Sequence, residues 1–167
     1  KSNSYKKSLN QATNFILKIN KQFEKKKTHL LIENLFPSIA RKSSLFCDIQ
    51  EVKEFMNLVP PSVGLLLDLG HLNISSNILK FDRDSFIDEY LELFGNRLLE
   101  VHISENNGFK DEHLPIKNSS WQLKVIKKIS NMKSNLPIKK RVFCLESRNA
   151  SELELKQSLD LINNLII

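Results

Sequence analysis

The chain has 167 residues, of which 41% are hydrophobic and 26% are charged, and its formal net charge is +6. This length and composition are typical of one globular domain with a hydrophobic core, which we expect to span residues 1–167. The two cysteines, Cys47 and Cys144, exclude a disulfide-rich scaffold and favour the cytoplasm, and no apolar run approaches the roughly 18 residues of a membrane span.

The first residue is Lys1 rather than Met, and we therefore expect the chain to be a piece of a longer protein or to have lost an upstream segment. Much of the positive charge lies in lysine-rich patches, which are typical of solvated helix faces and turns. The charge is compatible with a nucleic-acid partner but does not by itself favour one.

The first half of the chain alternates helical and strand-like patterns. Apolar residues spaced by three and four predict one long amphipathic helix over residues 5–25. A short apolar run over 29–35 predicts the first strand. Asp48 and Glu51 resemble a capping box that begins the next helix, and Pro60 stops that helix.

The alternation continues through the second half. An apolar run over 63–71 predicts the second strand, which ends at Asp68, and Asp82 begins a helix that ends at Gly95. The third strand is predicted over 97–104, followed by a helix over 121–132.

The last unit contains a strand over 141–147 and a helix that begins at Ser151 and Glu154, another capping-box pair. Strands that alternate with helices imply a parallel sheet, and continuous apolar runs are typical of strands with both faces covered. The sequence therefore predicts an α/β fold of parallel strand–helix units.

A polar side chain able to bind a metal ion ends each of the four apolar runs. These residues are Glu33, Asp68, His102 and Glu146. In a parallel (β/α) barrel, side chains at the carboxyl ends of several strands converge to build the active site. Carboxylates and imidazoles are normal ligands of ions such as Mn²⁺ and Zn²⁺, so the pattern predicts a divalent metal site.

Three further polar residues follow the predicted strands. His71 lies three residues after Asp68, and Asp111 and His113 lie in the long segment after the third strand. We interpret these three as further ligands or as contacts to a substrate. His29 begins a strand, at the opposite end of the sheet, and we assign it no catalytic role.

Four segments resemble motifs of the xylose isomerase-like TIM barrels, which include sugar phosphate isomerases and epimerases and endonuclease IV. The segments are "LLIENL", "LLLDLGHLN", "EVHISENNGFKDEHLPI" and "CLES". The resemblance extends from about residue 29 to the end of the chain. It implies a TIM barrel of which this chain is the C-terminal half, covering about strands five to eight.

A half-barrel would leave two sheet edges and part of its core uncovered. The resemblance therefore implies that an N-terminal half-barrel or a second copy of the chain completes the fold. It favours a divalent-metal-dependent isomerase or epimerase that acts on a sugar or sugar phosphate through an enediolate.

By the same resemblance, Mn²⁺, Zn²⁺ or Mg²⁺ is held by Glu33, Asp68, His102 and Glu146. Glu33 and Glu146 are the expected catalytic residues: one removes the proton next to the substrate carbonyl and the other returns it.

Two alternatives remain open. One is an endonuclease IV-like zinc phosphodiesterase that cleaves abasic DNA, in which His71, Asp111 and His113 join the four strand-end residues at a trinuclear site. The absence of a concentrated basic and aromatic surface in the sequence makes nucleic acid the less favoured partner. The other alternative is a non-catalytic protein derived from a barrel that keeps its metal site.

Overall fold

A computed structural model describes residues 3–37, 44–132 and 141–166. In this part of the chain, six helices accompany four strands. The helices are α1 (Asn3–Lys25), α2 (Ile49–Met56), α3 (Leu69–Leu79), α4 (Arg83–Phe94), α5 (Gln122–Ser130) and α6 (Glu152–Asn163), and the strands are β1 (Leu30–Glu33), β2 (Val63–Asp68), β3 (Leu98–Ile103) and β4 (Val142–Leu145). A search of the described helices finds none that is both long enough and apolar enough to cross a membrane.

The four strands form one parallel sheet in the order β1-β2-β3-β4. Sequential parallel strands with helical connections are the arrangement of a (β/α) barrel, and four of them correspond to half of one. The predicted α/β class with parallel strands is thus confirmed. β1 and β4 lie at the two edges of this sheet. The single-domain boundary stays a prediction.

Capping residues set several helix boundaries where the sequence predicts them. The carboxylate of Asp48 accepts a hydrogen bond from the backbone N–H of Glu51, 2.8 Å away, at the start of α2. Ser151 and Glu154 form a complete capping box at the start of α6. Because such side chains satisfy backbone N–H groups that have no partner within the helix, they fix where the helix begins.

One helix was not predicted from the sequence. β2 ends at Asp68, as predicted, but α3 begins directly after it at Leu69, within the second apolar run. The Asp68 carboxylate caps this helix by accepting a hydrogen bond from the N–H of His71. Most of α3 is buried, including the polar residues Asn73, Ser75 and Ser76. Its polar and apolar residues therefore do not separate clearly onto two faces, and the 3.6-residue period gives little signal in the sequence.

The two faces of the sheet differ in what covers them. The strand register places Leu65, Leu67, Val101 and Ile103 on one face, where they belong to the hydrophobic core together with residues of the helices. We call this the helix face. The opposite face, which we call the site face, carries the side chains Glu33, Leu66, Asp68, Glu100, His102, Val142 and Cys144.

Candidate metal centre

The side chains predicted at the four strand ends converge on one atom, Nδ1 of His102. Oε1 of Glu146 lies 3.2 Å from this nitrogen. Oε1 of Glu33 lies 3.8 Å from it, and Oδ2 of Asp68 lies 3.9 Å from it. Residues from four separate strand–helix units therefore meet within a few ångströms.

A staggered register brings these side chains to one height. Asp68 pairs directly with His102 across the sheet. Glu33 pairs with Leu66, which precedes Asp68 by two residues. Strands of a closed barrel are tilted, and a stagger between neighbours accompanies that tilt, so residues offset along the register can share one level of the barrel.

The convergent atoms fit a divalent cation. Nδ1 of His102 is buried and has no hydrogen-bond partner among the described residues, although carboxylates surround it. The candidate ligand atoms of Glu33, Asp68 and His102 all lie within 4.8 Å of one another. Ligand atoms about 2.1 Å from one tetrahedral ion would lie about 3.4 Å apart, so small side-chain movements bring these atoms to bonding distance.

Asp68 is held rigidly by its neighbours. Its backbone N–H donates to Oδ1 of Asn34 at 2.7 Å, and its carbonyl accepts from Nδ2 of Asn34 at 2.9 Å. Its Oδ1 accepts from the N–H of His71 at 2.7 Å, while Oδ2 faces His102. Burial raises the pKa of the Asp68 carboxyl above its ordinary value, because the charged form is poorly solvated.

Glu33 shares this environment at the edge of the sheet. Burial raises the pKa of its carboxyl, and the charges of His71 and His102 act in the opposite direction. Nδ1 of His71 lies 3.4 Å from Oε1 of Glu33. Two carboxyls with raised pKa values beside imidazoles are a common arrangement for proton transfer and metal binding.

His71, Asp111 and His113 form a second group of polar side chains beside the first. Nε2 of His113 lies 2.9 Å from Oδ2 of Asp111, and Nε2 of His71 lies 3.9 Å from the same oxygen. Nδ1 of His113 contacts the backbone carbonyl of Glu146 at 3.0 Å. The structure thus places all seven residues proposed from the sequence at one end of the sheet, while their roles stay predictions.

Asn106 holds the segment that carries this second group against α3. Its amide nitrogen donates to the carbonyl of Gly70 at 2.9 Å, and its amide oxygen accepts from the N–H of Gly108 at 2.9 Å. Gly108 has a φ of 81°, which favours glycine. A Cβ at Gly70 would lie only 2.6 Å from Oγ of Ser104, so a larger residue there would require the Ser104 side chain to move.

Three residues that support the centre were missed in the sequence. Asn34 and Glu100 hydrogen-bond to its side chains or backbone, and Asn106 holds the segment after β3 against α3. Asn34 directly follows a predicted ligand, and Asn106 lies in the motif after the third strand, so position alone could have marked them. Glu100 precedes His102 by two residues on the same strand, and side chains two apart in a strand share a face.

Comparison with known proteins identifies one family. A family model described as "Xylose isomerase-like TIM barrel" matches residues 1–165. The chain is 28% identical over 108 residues to MJ1311 of Methanocaldococcus jannaschii, described as an uncharacterized protein. This match covers 61% of the chain and 33% of MJ1311, so the chain aligns with only a third of that relative.

A solved structure shares the fold. It is the TTHB071 protein from Thermus thermophilus, whose crystal was soaked with ZnCl2. The TM-score is 0.62 at 15% sequence identity, and the match covers 95% of this chain and 56% of the Thermus chain. The chain therefore corresponds to little more than half the length of that protein.

Proposed function

The chain belongs to the xylose isomerase-like TIM barrel family, and from this premise we propose that it forms part of a divalent-metal-dependent isomerase or epimerase of sugars or sugar phosphates. One observation carries the proposal: within the described part of the chain, the buried Nδ1 of His102 has no hydrogen-bond partner and is surrounded by carboxylate oxygens. The family includes sugar isomerases as well as endonuclease IV-like members.

Glu33, Asp68, His102 and Glu146 would hold the ion. A divalent ion bound there acts as a Lewis acid that polarises a carbonyl and stabilises negative charge on oxygen. The set of three carboxylates and one imidazole suits Mn²⁺, Mg²⁺ and Zn²⁺. Zinc is a practical first choice for binding experiments, since crystals of the Thermus protein with this fold were soaked with ZnCl2.

Glu33 and Glu146 would transfer the proton. Glu33 extends from β1 and Glu146 follows β4, so the two carboxyls approach a substrate at His102 from opposite edges of the sheet. One carboxylate accepts the proton from the carbon next to the substrate carbonyl, and the other carboxyl donates a proton back. Burial raises the pKa of the Glu33 carboxyl in the metal-free protein.

Solvent exchange tests this proposal even when the product is unidentified. The protein is loaded with Mn²⁺ or Zn²⁺ and incubated in D₂O with a panel of aldoses, ketoses and their phosphates. Loss of the proton next to the carbonyl, followed by NMR, is the expected result for at least one substrate. Glu146→Gln should reduce the exchange rate by about 10²- to 10⁴-fold, the usual effect of losing a general acid or base. No exchange with any sugar by the loaded protein would contradict the proposal.

A second candidate function is supported by the second polar group. The Nε2 atoms of His71 and His113 both face Oδ2 of Asp111, an arrangement suited to another ion. Additional zinc ions next to the first would favour an endonuclease IV-like phosphodiesterase that acts on abasic DNA. Three zinc ions per molecule together with cleavage of an abasic duplex would support this alternative, and one ion with proton exchange on a sugar would support the isomerase.

We also propose that an N-terminal half-barrel, or failing that a second copy of the chain, covers the site face. β1 and β4 have free edges within the described sheet, and Val142 on the site face is 55% exposed. The match covers 56% of the Thermus chain, and the remainder of that chain is long enough to supply such a half. Light scattering on the purified 19.3 kDa chain measures whether it self-associates. A stable monomer would exclude the second copy.

A further inference from the structure

His102 has carboxylates on both edges of its ring. On the Nδ1 edge lie the three candidate ligands. On the other edge, Nε2 lies 3.2 Å from Oε1 of Glu100, in hydrogen-bond geometry. In the described part of the chain, His102 is the single ion-pair partner of Glu100. Glu100 was not among the residues predicted from the sequence.

The position of Glu100 restricts it to this partner. It pairs with Leu66 on β2 and Val142 on β4, so apolar side chains flank it in the sheet. Besides His102, the thiol of Cys144 is a nearby polar group, and its sulfur lies within 4.8 Å of the ligand atoms of Glu100 and His102. A thiol is a weak acceptor, so the carboxylate is the stronger acceptor for the ring N–H.

The hydrogen bond decides which nitrogen of the ring can bind a metal. A carboxylate only accepts, so Nε2 must carry the proton in this contact. In the neutral ring, Nδ1 then has a free lone pair, and this is the nitrogen that faces Glu33, Asp68 and Glu146. Metal-binding histidines generally donate their other N–H to an acceptor that orients the ring and increases its basicity.

We propose that Glu100 is a positioning residue that keeps the proton of His102 on Nε2 and directs Nδ1 to a divalent metal ion. This inference rests on the proposed metal centre, but not on the reaction that the centre catalyses. In this role Glu100 acts through the imidazole and is not itself a ligand of the ion. Loss of Glu100 frees the ring to rotate and weakens its nitrogen as a ligand.

Titration of zinc into the purified protein, measured by calorimetry, tests the proposal. Glu100→Leu should weaken zinc binding by about 10- to 100-fold, the usual cost of removing such a partner. Glu100→Gln retains a carbonyl acceptor and should lose less affinity than Glu100→Leu. Cys144→Ala removes a side chain near the same edge of the ring, and it should bind zinc as the wild type does.

A spectroscopic readout separates positioning from a general loss of structure. In the zinc-loaded wild type, long-range ¹H–¹⁵N NMR spectra should show His102 bound through Nδ1, with a hydrogen-bonded Nε2–H proton at low field. In Glu100→Leu this proton should move upfield and exchange faster with water. Thermal unfolding of the metal-free variants verifies that each of them folds.

Two results would overturn the inference: unchanged zinc affinity in a folded Glu100→Leu variant, or zinc bound through Nε2. If the wild type binds zinc as described but exchanges no sugar proton, the isomerase proposal fails and the role of Glu100 stands. If the wild type binds no divalent ion, the metal centre and the role of Glu100 fail together.

Discussion

The helix face and the site face of the same sheet differ in both packing and chemistry. On the helix face, Leu65 is 2% exposed and Leu67 is fully buried beneath the helices. On the site face, Leu66 between them is only half-buried, and the charged side chains of the candidate metal centre replace a continuous apolar layer. The comparison indicates that one face stabilises the fold and the other carries the chemistry.

The largest expected effect comes from neighbouring leucines that point to opposite faces. Leu67→Ala should lower the free energy of unfolding by about 2–5 kcal/mol, because it leaves a cavity in the core. Leu66→Ala should cost about 1 kcal/mol, the average for a point substitution. Urea unfolding of both variants measures the difference. Equal losses of unfolding free energy in the two variants would contradict this prediction. They would indicate that the site face is packed as tightly in solution as the helix face.

Metal binding should stabilise the protein through the site face alone. Zinc at 100 times its dissociation constant should raise the free energy of unfolding by about 2.7 kcal/mol, because the ion binds only the folded chain. His102→Ala should abolish this gain. His29→Ala is the matched control, since His29 is exposed and precedes β1 at the other end of the sheet. Equal stabilisation of both variants, measured by thermal unfolding, would place the zinc elsewhere.

The smallest expected effect is a difference in pH dependence between two aspartates that both cap helices, Asp68 and Asp82. Burial raises the pKa of Asp68 in the metal-free protein. Its contribution to stability is therefore fully present below the ordinary value of 3.8 and is lost as pH rises through the raised value. Hydrogen bonds from Ser85 lower the pKa of Asp82, so its contribution is present above 3.8 and is lost as pH falls.

Asparagine caps helices as well as aspartate does, so Asp68→Asn and Asp82→Asn change the charge and keep the cap. Urea unfolding is measured over the acid range for the wild type and both variants. The stability of the wild type relative to Asp68→Asn should decrease as pH rises, and that relative to Asp82→Asn should increase. An increase in the difference for Asp68→Asn as pH rises would contradict the raised pKa of the Asp68 carboxyl.

The sequence predicted the features that depend on local chemistry or on strand direction. Caps such as Ser151 and Asp48 satisfy backbone groups next to them, so their pattern is visible in a few residues. The meeting of Glu33 and Glu146 near His102 followed from one rule, that parallel strands end at the same edge.

The features that the sequence did not predict depend on packing between residues that are distant in the chain. Helix α3 was missed because its buried residues give no alternation between polar and apolar faces. Glu100 was missed because a single carboxylate within an apolar strand has no evident partner in the sequence. Its partner, the ring of His102, is recognised only in the structure. Asn34 matters through hydrogen bonds to Asp68, a residue of the neighbouring strand.

The capping of α3 explains the interval between Asp68 and His71. One oxygen of the carboxylate is bound to the first turn of the helix, and the other remains directed at the ion site. Each added or deleted residue would rotate the imidazole by about 100° around the helix axis. An insertion here would therefore disrupt the start of the helix and displace both the Asp68 carboxylate and the His71 imidazole. The geometry of the site thus depends on the three-residue spacing between them.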